Sequence, residues 1–152
     1  ENQGGEKDAP LQYVCASFYK FVPLEDVETL QADLRECCAH AGLMGSIILS
    51  GEGINAQIAG LQNGINAFMA ALHRYPSFAD IRPKVSYAQA QPFYRMKVTI
   101  KDEIVKLGVP TRTCDHTGVH VPPAEWNALL QDPEILVIDT RNMDETVVGT
   151  FQ

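Results

Sequence analysis

Apolar positions along the chain change period several times, and each change marks an element. Tyr13 to Phe21 is rich in aromatic and small apolar residues and reads as a strand, closed by Pro23. Leu24, Val27, Leu30, Leu34, Cys37 or Cys38, and Ala41 then recur at helical spacing. Glu25, Asp26 and Glu28 suit the positive end of that helix, and Gly42 suits its exit. Ser46 to Ser50 is short and β-branched, as a buried strand is. Gly51-Glu-Gly-Ile-Asn55 supplies a sharp connection, and Ala56 to Ala59 reads as a third strand folding back on the second as a hairpin. Ile65, Phe68, Met69 and Leu72 predict a second helix. Tyr75-Pro76 must end it, because the residue before a proline is pushed out of helical backbone. Ile81 to Tyr87 predicts a fourth strand. The order β-α-β-β-α-β is that of the ferredoxin-like split βαβ unit, an α+β fold with both helices on one sheet face.

Past a break at Gln89–Pro92, Met96 to Val105 alternates well enough for one more extended element. Residues 108–117 carry Gly108, Pro110 and several Thr with little that is apolar, the composition of a linker. A second unit is expected over 118–152. Gly118 to Val121 predicts a short strand there, and Pro122-Pro123 opens a helix striped by Trp126, Leu129 and Leu130. Ile135 to Ile138 is a continuous apolar run between Asp132-Pro133 and Asp139, as expected of a buried parallel strand. Asp144 to Val148 begins another helix. Strand–helix–strand–helix is the opening of an α/β layer, and so few strands cannot cover both of its faces, so the unit is expected to be incomplete. The expected organisation is a flexible lead-in over 1–11, a ferredoxin-like domain over 12–107, the linker, and the truncated α/β start.

Composition changes this picture little. With 45% apolar and 20% charged residues in 152, a core of real size is available. The longest apolar stretches fall far short of a membrane span, so no membrane partner is expected. Glu1 to Pro10 has neither the apolar centre of a signal peptide nor an Arg-rich transit pattern. A cytoplasmic location is expected, or an organellar (chloroplast) one if a transit peptide has been removed. Oligomeric state is left open by the sequence.

Charge matters more. The net charge of −7 argues against a nucleic-acid partner. Yet residues 81–106 hold Arg82, Lys84, Arg95, Lys97, Lys101 and Lys106 against only Asp102 and Glu103, a local balance of +4. An anionic ligand and solvated strand ends explain that segment about equally. Cys15, Cys37, Cys38 and Cys114 show no metal spacing and no disulfide framework, and His40, His73, His116 and His120 are scattered. Cys15, Cys37 and Cys38 read as buried, reduced thiols, and Cys114 as a loop thiol. No metal and no bound cofactor are expected.

Four stretches could carry chemistry. Gly51-Glu-Gly-Ile-Asn55 offers two glycines for close backbone approach beside a carboxylate and an amide, so Glu52, Gly53 and Asn55 are candidates; a plain hairpin turn is the competing reading. Phe18-Tyr19-Lys20 and Phe93-Tyr94-Arg95-Met96-Lys97 alternate aromatic and basic residues as single-stranded RNA platforms do, which makes Lys20, Arg95 and Lys97 candidates. Strand alternation alone, with Phe18 and Met96 inward and the lysines in water, gives the same pattern. Ile138-Asp-Thr-Arg-Asn142 closes an apolar run at the end where α/β folds place functional loops, and Asp139 with Arg141 reads as an ion pair fixing that loop.

Taken jointly, Ser17-Phe-Tyr-Lys20, Gly51-Glu-Gly-Ile-Asn-Ala-Gln-Ile58, Arg95-Met-Lys-Val98, Glu103-Ile-Val105 and Gly108 resemble the front domain of the rhodanese-like tRNA uridine(34) hydroxylase family. Trp126-Asn-Ala-Leu-Leu-Gln-Asp-Pro133, Ile138-Asp-Thr-Arg-Asn142, Glu145 and Gly149-Thr-Phe151 resemble the opening of that family's rhodanese domain. The resemblance implies oxygen-dependent 5-hydroxylation of the wobble uridine, with molecular oxygen as a substrate and the anticodon region of tRNA as partner. It also implies a nucleophilic cysteine in a Cys-x-Gly-Gly-x-Arg-Cys loop. None of the four cysteines stands in that context, so no catalytic residue is expected within this sequence, and the chain alone is expected to be inactive. Lys20, Glu52, Gly53, Asn55, Arg95 and Lys97 become candidate tRNA contacts, and Asp139 and Arg141 organisers of the rhodanese loop. A sulfurtransferase and a non-enzymatic RNA or protein adaptor are the alternatives.

Overall fold

The computed structural model describes residues 12–105, 118, 119 and 121–150, which fall into two compact units divided between Asp115 and His116. In the first unit, β1 (Tyr13–Phe21) alternates, burying Val14, Ala16 and Phe18. Helix α1 (Val27–His40) starts at Asp26, whose carboxylate accepts the Thr29 N–H at 3.0 Å and is held below its ordinary pKa by that bond. It buries Leu30, Leu34 and Cys38. β2 (Met44–Ser50) and β3 (Gly53–Gly60) form the expected antiparallel hairpin, joined by Gly51 and Glu52 alone. Helix α2 (Gln62–Leu72) buries Ile65, Phe68, Met69 and Leu72, and ends three residues before Tyr75-Pro76. A 3₁₀ turn (Pro76–Phe78) follows and plants Phe78 in the core.

Two strands are shorter than the sequence suggests. β4 (Lys84–Ala88) begins three residues after Ile81, because Ile81 is a core residue whose N–H bonds Phe78 C=O at 3.1 Å, and Pro83 has no N–H to give a ladder. β5 (Met96–Ile100) ends where Lys101 N–H makes a last bond to Leu49 C=O at 2.8 Å. The 101–105 stretch is irregular, with Ile104 N–H going to the Glu52 carboxylate instead of a ladder.

The sheet order is β4-β1-β3-β2-β5, with β5 parallel to β2 and the remaining neighbours antiparallel. The first four strands in that order make the ferredoxin-like arrangement read from the sequence. α2 packs on β1 and β3, and α1 packs on β2 and β5, so both helices cover one face. The outer edge of β5 is closed by α1: Gln31 and Arg35, one turn apart, donate to Val98 C=O at 2.8 and 3.1 Å. Tyr75 Oη donates to Asp33 at 2.6 Å, tying the chain after α2 back to α1.

Cys15 and Cys37 are half-buried, not buried, and Cys38 alone is fully enclosed; Cys114 lies outside the described residues. Burial pushes the Cys38 thiol up to about 12. Burial, then the Asp33 acceptor, pushes the Tyr75 phenol up to about 12 as well. Unfolded, these groups ionise near 9.0 and 10.0. The unfolded state therefore loses its protons first, and stability should be intact below pH 9 and fall as pH rises from about 9 to 12. Chemical denaturation across that range tests this, and a flat profile would contradict it. Alkylation of the native chain at pH 8 should likewise spare Cys38 until denaturant is added.

In the second unit, α3 (Pro123–Leu130) has its proline start but no buried residue, and Asn142 opens α4 (Met143–Thr146) in a reciprocal capping box with Glu145. The strand expected at 135–138 is absent: the stretch is irregular, and Leu136 and Ile138 are 83% and 74% exposed. A parallel strand needs neighbours on its edges and cover on its faces, and the described residues of this unit provide neither. Gly118 and Val119 are likewise not in a strand, and His120 lies outside the described residues.

Candidate nucleic-acid interface

Helix cover on one face leaves the other face of the sheet to the alternate residues of each strand. Along β1 these are Cys15, Ser17, Tyr19 and Phe21, and along β3 they are Asn55, Gln57 and Ala59. Register then assembles a row across all five strands: Lys84 beside Ser17, Ser17 beside Gln57, Gln57 beside Ser46, and Ser46 beside Lys97. At about 4.8 Å per strand spacing the row is about 19 Å long. It has a lysine at each end and hydroxyl, amide and hydroxyl between. The next row sets Tyr19, 61% exposed, beside Asn55, with Ile48 and Thr99 beyond.

One end of this face is crossed by the connection from β4 to β5, which must pass from one sheet edge to the other. Gln91 Nε2 donates to Ala59 C=O at 3.1 Å, which buries Ala59, and Phe93 packs beside Cys15, Ser17 and Gln57. The strap thus borders the polar row at Ser17 and Gln57.

At the β4 edge the face opens into a cleft of about 480 Å³. It forms because β4 pairs with β1 only as far as Ser17 and Lys84. Beyond that point Tyr19 and Lys20, which point to opposite faces, both reach the same cleft, opposite Arg82 and Lys84. Lys20 is not on the wet face with Tyr19: by strand alternation it shares the helix side with Phe18, where it is half-buried. Its ammonium is hydrogen-bonded to Asp80, which the Lys20 bond, with the Arg82 charge behind it, holds below the usual carboxylate range.

The Gly51–Asn55 motif divides into three roles. Glu52 is half-buried and structural: its carboxylate accepts the Ile104 N–H at 3.2 Å, its carbonyl accepts Val22 N–H at 2.9 Å, and its own N–H reaches Ser50 Oγ at 2.9 Å. Gly53 is buried with φ +144°, and a Cβ there would stand 2.0 Å from the Lys20 carbonyl oxygen. The close pass of β1, not a ligand, accounts for that glycine. Asn55 alone of the three faces the cleft. Lys97 lies at the far end of the polar row, and Arg95 is exposed on the strap, outside both features.

Thus Lys20 and Asn55 line one cleft from opposite sides of β1 and β3, Lys97 shares the open face with Asn55 at distance, and Glu52, Gly53 and Arg95 stand apart. The sequence reading missed Ser17, Ser46 and Gln57, and counted Arg82 and Lys84 only as net charge. The signal present was a period of two: polar Ser17, Tyr19, Asn55 and Gln57 interleave with buried Phe18, Ile54, Ala56 and Ile58. In the second unit, Asp139 and Arg141 form a two-pronged pair at 3.0 and 2.7 Å, and Arg141 also donates to Gly149 C=O at 2.9 Å. Among the described residues no three His, Cys, Asp or Glu side chains gather as a metal would need, and no helix is long and apolar enough to cross a membrane.

The chain is 46% identical over 142 residues, 93% of its length, to the tRNA uridine(34) hydroxylase of Acaryochloris marina. It is 45% identical over 140 residues, 92% of its length, to that of Caulobacter vibrioides. It covers 46% and 44% of those two proteins, so it spans somewhat under half the length of such relatives. Among solved structures, the dark state of BlrB, a BLUF protein, superposes with a TM-score of 0.49 at 17% identity, covering 60% of this chain and 75% of that one. Residues 13–104, which contain the whole five-stranded sheet and both of its helices, match the UPF0176 acylphosphatase like domain, and the chain belongs to that family.

Proposed function

We propose that this chain is the RNA-positioning part of a tRNA uridine 34 hydroxylase. The observation that carries the proposal is collinear identity of 43–46% over more than nine-tenths of the chain with several proteins of that name. The open sheet face supports it: a polar row ended by two lysines, with an exposed tyrosine alongside, suits unpaired nucleotides better than duplex, whose bases are already stacked. The reaction would replace the hydrogen on C5 of the wobble uracil by a hydroxyl. One atom of molecular oxygen enters the C–H bond, and the other leaves as water with two protons and two electrons from a reductant that this chain would not itself supply. Lys20, Asn55 and Lys97 would act on the anticodon region as binding groups, and none of them would handle oxygen. Asp139 and Arg141 would hold the loop that follows Ile138.

The test is mass spectrometry of nucleosides from tRNA of cells that lack the full-length protein. Re-expression of that protein should restore 5-hydroxyuridine at position 34, and its continued absence would refute the function. The isolated chain should give no turnover on tRNA, and turnover by it would refute the division of labour.

A further inference from the structure

The cleft beside β1 holds a combination that the rest of the sheet lacks. It has a flat aromatic wall in Tyr19, two neutral amides in Asn55 and Gln57, and three cations in Lys20, Arg82 and Lys84. Its one acid, Asp80, is bound to Lys20, so the cleft keeps an excess of two positive charges on a chain whose total is −7. A volume of about 480 Å³ lies within the range of small-molecule sites, about 300–1,000 Å³. The shape sorts its functions: aromatic and amides lie on the sheet side, and Arg82 stands on the segment that peels away from β1.

Asp80 is the informative residue. Its carboxylate already occupies the place on Lys20 that an oxyanion would take, with Arg82 close enough to favour its charge. A phosphodiester makes the same charge-assisted bonds with more oxygens. Resting on the RNA reading above, we propose that the cleft takes one unpaired nucleotide of single-stranded RNA and that Asp80 is its built-in competitor. The base lies against Tyr19 and the Asn55 and Gln57 amides, while the phosphate binds Arg82 and Lys84 and displaces Asp80 from Lys20.

The proposal gives opposite signs for neighbouring substitutions. A fluorescent pentauridylate is titrated with the full chain at about 50 and about 200 mM salt. Asp80→Asn should tighten binding about three- to tenfold, because Lys20 is released and an acid is removed. Arg82→Ala and Lys84→Ala should each weaken it and flatten the log–log salt dependence by about 0.7. Circular dichroism confirms that each variant is folded. Unchanged or weaker binding by Asp80→Asn, or an unaffected Arg82→Ala/Lys84→Ala double variant, overturns the proposal. Equal binding of polyglutamate by the wild type overturns it in favour of an acidic protein partner.

The two proposals fail separately. Restored 5-hydroxyuridine together with none of these binding effects sinks the cleft and spares the function. The binding pattern without restored 5-hydroxyuridine supports the cleft and sinks the function.

Discussion

Gly53→Ala is expected to cost about 3 kcal/mol or more, a large share of the roughly 5–15 kcal/mol that holds a small domain together. The reason lies in two terms that act together. The backbone at Gly53 has φ +144°, a region where a residue with a Cβ carries about 1–3 kcal/mol of strain. The added methyl would also lie 2.0 Å from the Lys20 carbonyl oxygen and 3.0 Å from Phe21 Cα. Both are backbone atoms of β1, so no side chain can swing aside, and β1 and β3 must part where their register runs from Lys20 and Ile54 to Phe21 and Gly53. Thermal and urea unfolding followed by circular dichroism measure the effect, with a midpoint expected to fall by at least about 12 °C. Gly51→Ala is the internal control. Its φ is not positive, and its new methyl would meet only Leu24 C=O at 4.0 Å, so it should stay within about 0.5 kcal/mol. If the two variants match, Gly53 is not a packing residue and its place on the candidate RNA surface must be restored.

Phe68→Ala should be comparably damaging, at about 3–5 kcal/mol. Phe68 is 0% exposed at the centre of α2's buried face, and its ring sits 6.4 Å from that of Phe18 on β1. Removing it takes away the ring contact between α2 and β1 and leaves a cavity beside Phe18 within the core cluster. Phe68→Leu should recover more than half of the loss, since most of the volume returns. A loss below about 1 kcal/mol for Phe68→Ala would mean that α2 can settle onto the sheet, against the close packing described. The variant bears on function too. Phe18 and Tyr19 are consecutive, so a shift in the buried ring moves the exposed one, and oligonucleotide affinity should fall even at temperatures where the chain remains folded.

How much of this was legible in advance depended on the range of the interaction. Local pattern placed β1 at its observed ends, and both helices and the hairpin within a few residues, because periodicity and proline exclusion act along the chain. It overextended β4 because Ile81 is apolar for another reason, as a plug for the core. It read Ile135 to Ile138 as buried because four apolar residues look alike whether or not a sheet exists to receive them.

The candidate surface divides in the same way. Lys20 and Asn55 were visible as residue types but not as lining one cleft, since they lie 35 positions apart and share it only through the β1–β3 register. Glu52 and Gly53 were noticed for the right oddity, a carboxylate between two glycines, but its cause was packing against β1 and the 101–105 segment.

By itself, then, the sequence determined which stretches of the first unit are strands and helices, which side of each is apolar, and that a basic segment sits on an acidic chain. Only the tertiary structure decided which polar residues share a surface, that Asp80 holds Lys20, and that Arg82 and Lys84 stand opposite Tyr19. Burial is imprinted locally, because each apolar residue bears its own transfer free energy. A site is a relation between strands, and register and the point where two strands separate are set by the whole sheet at once.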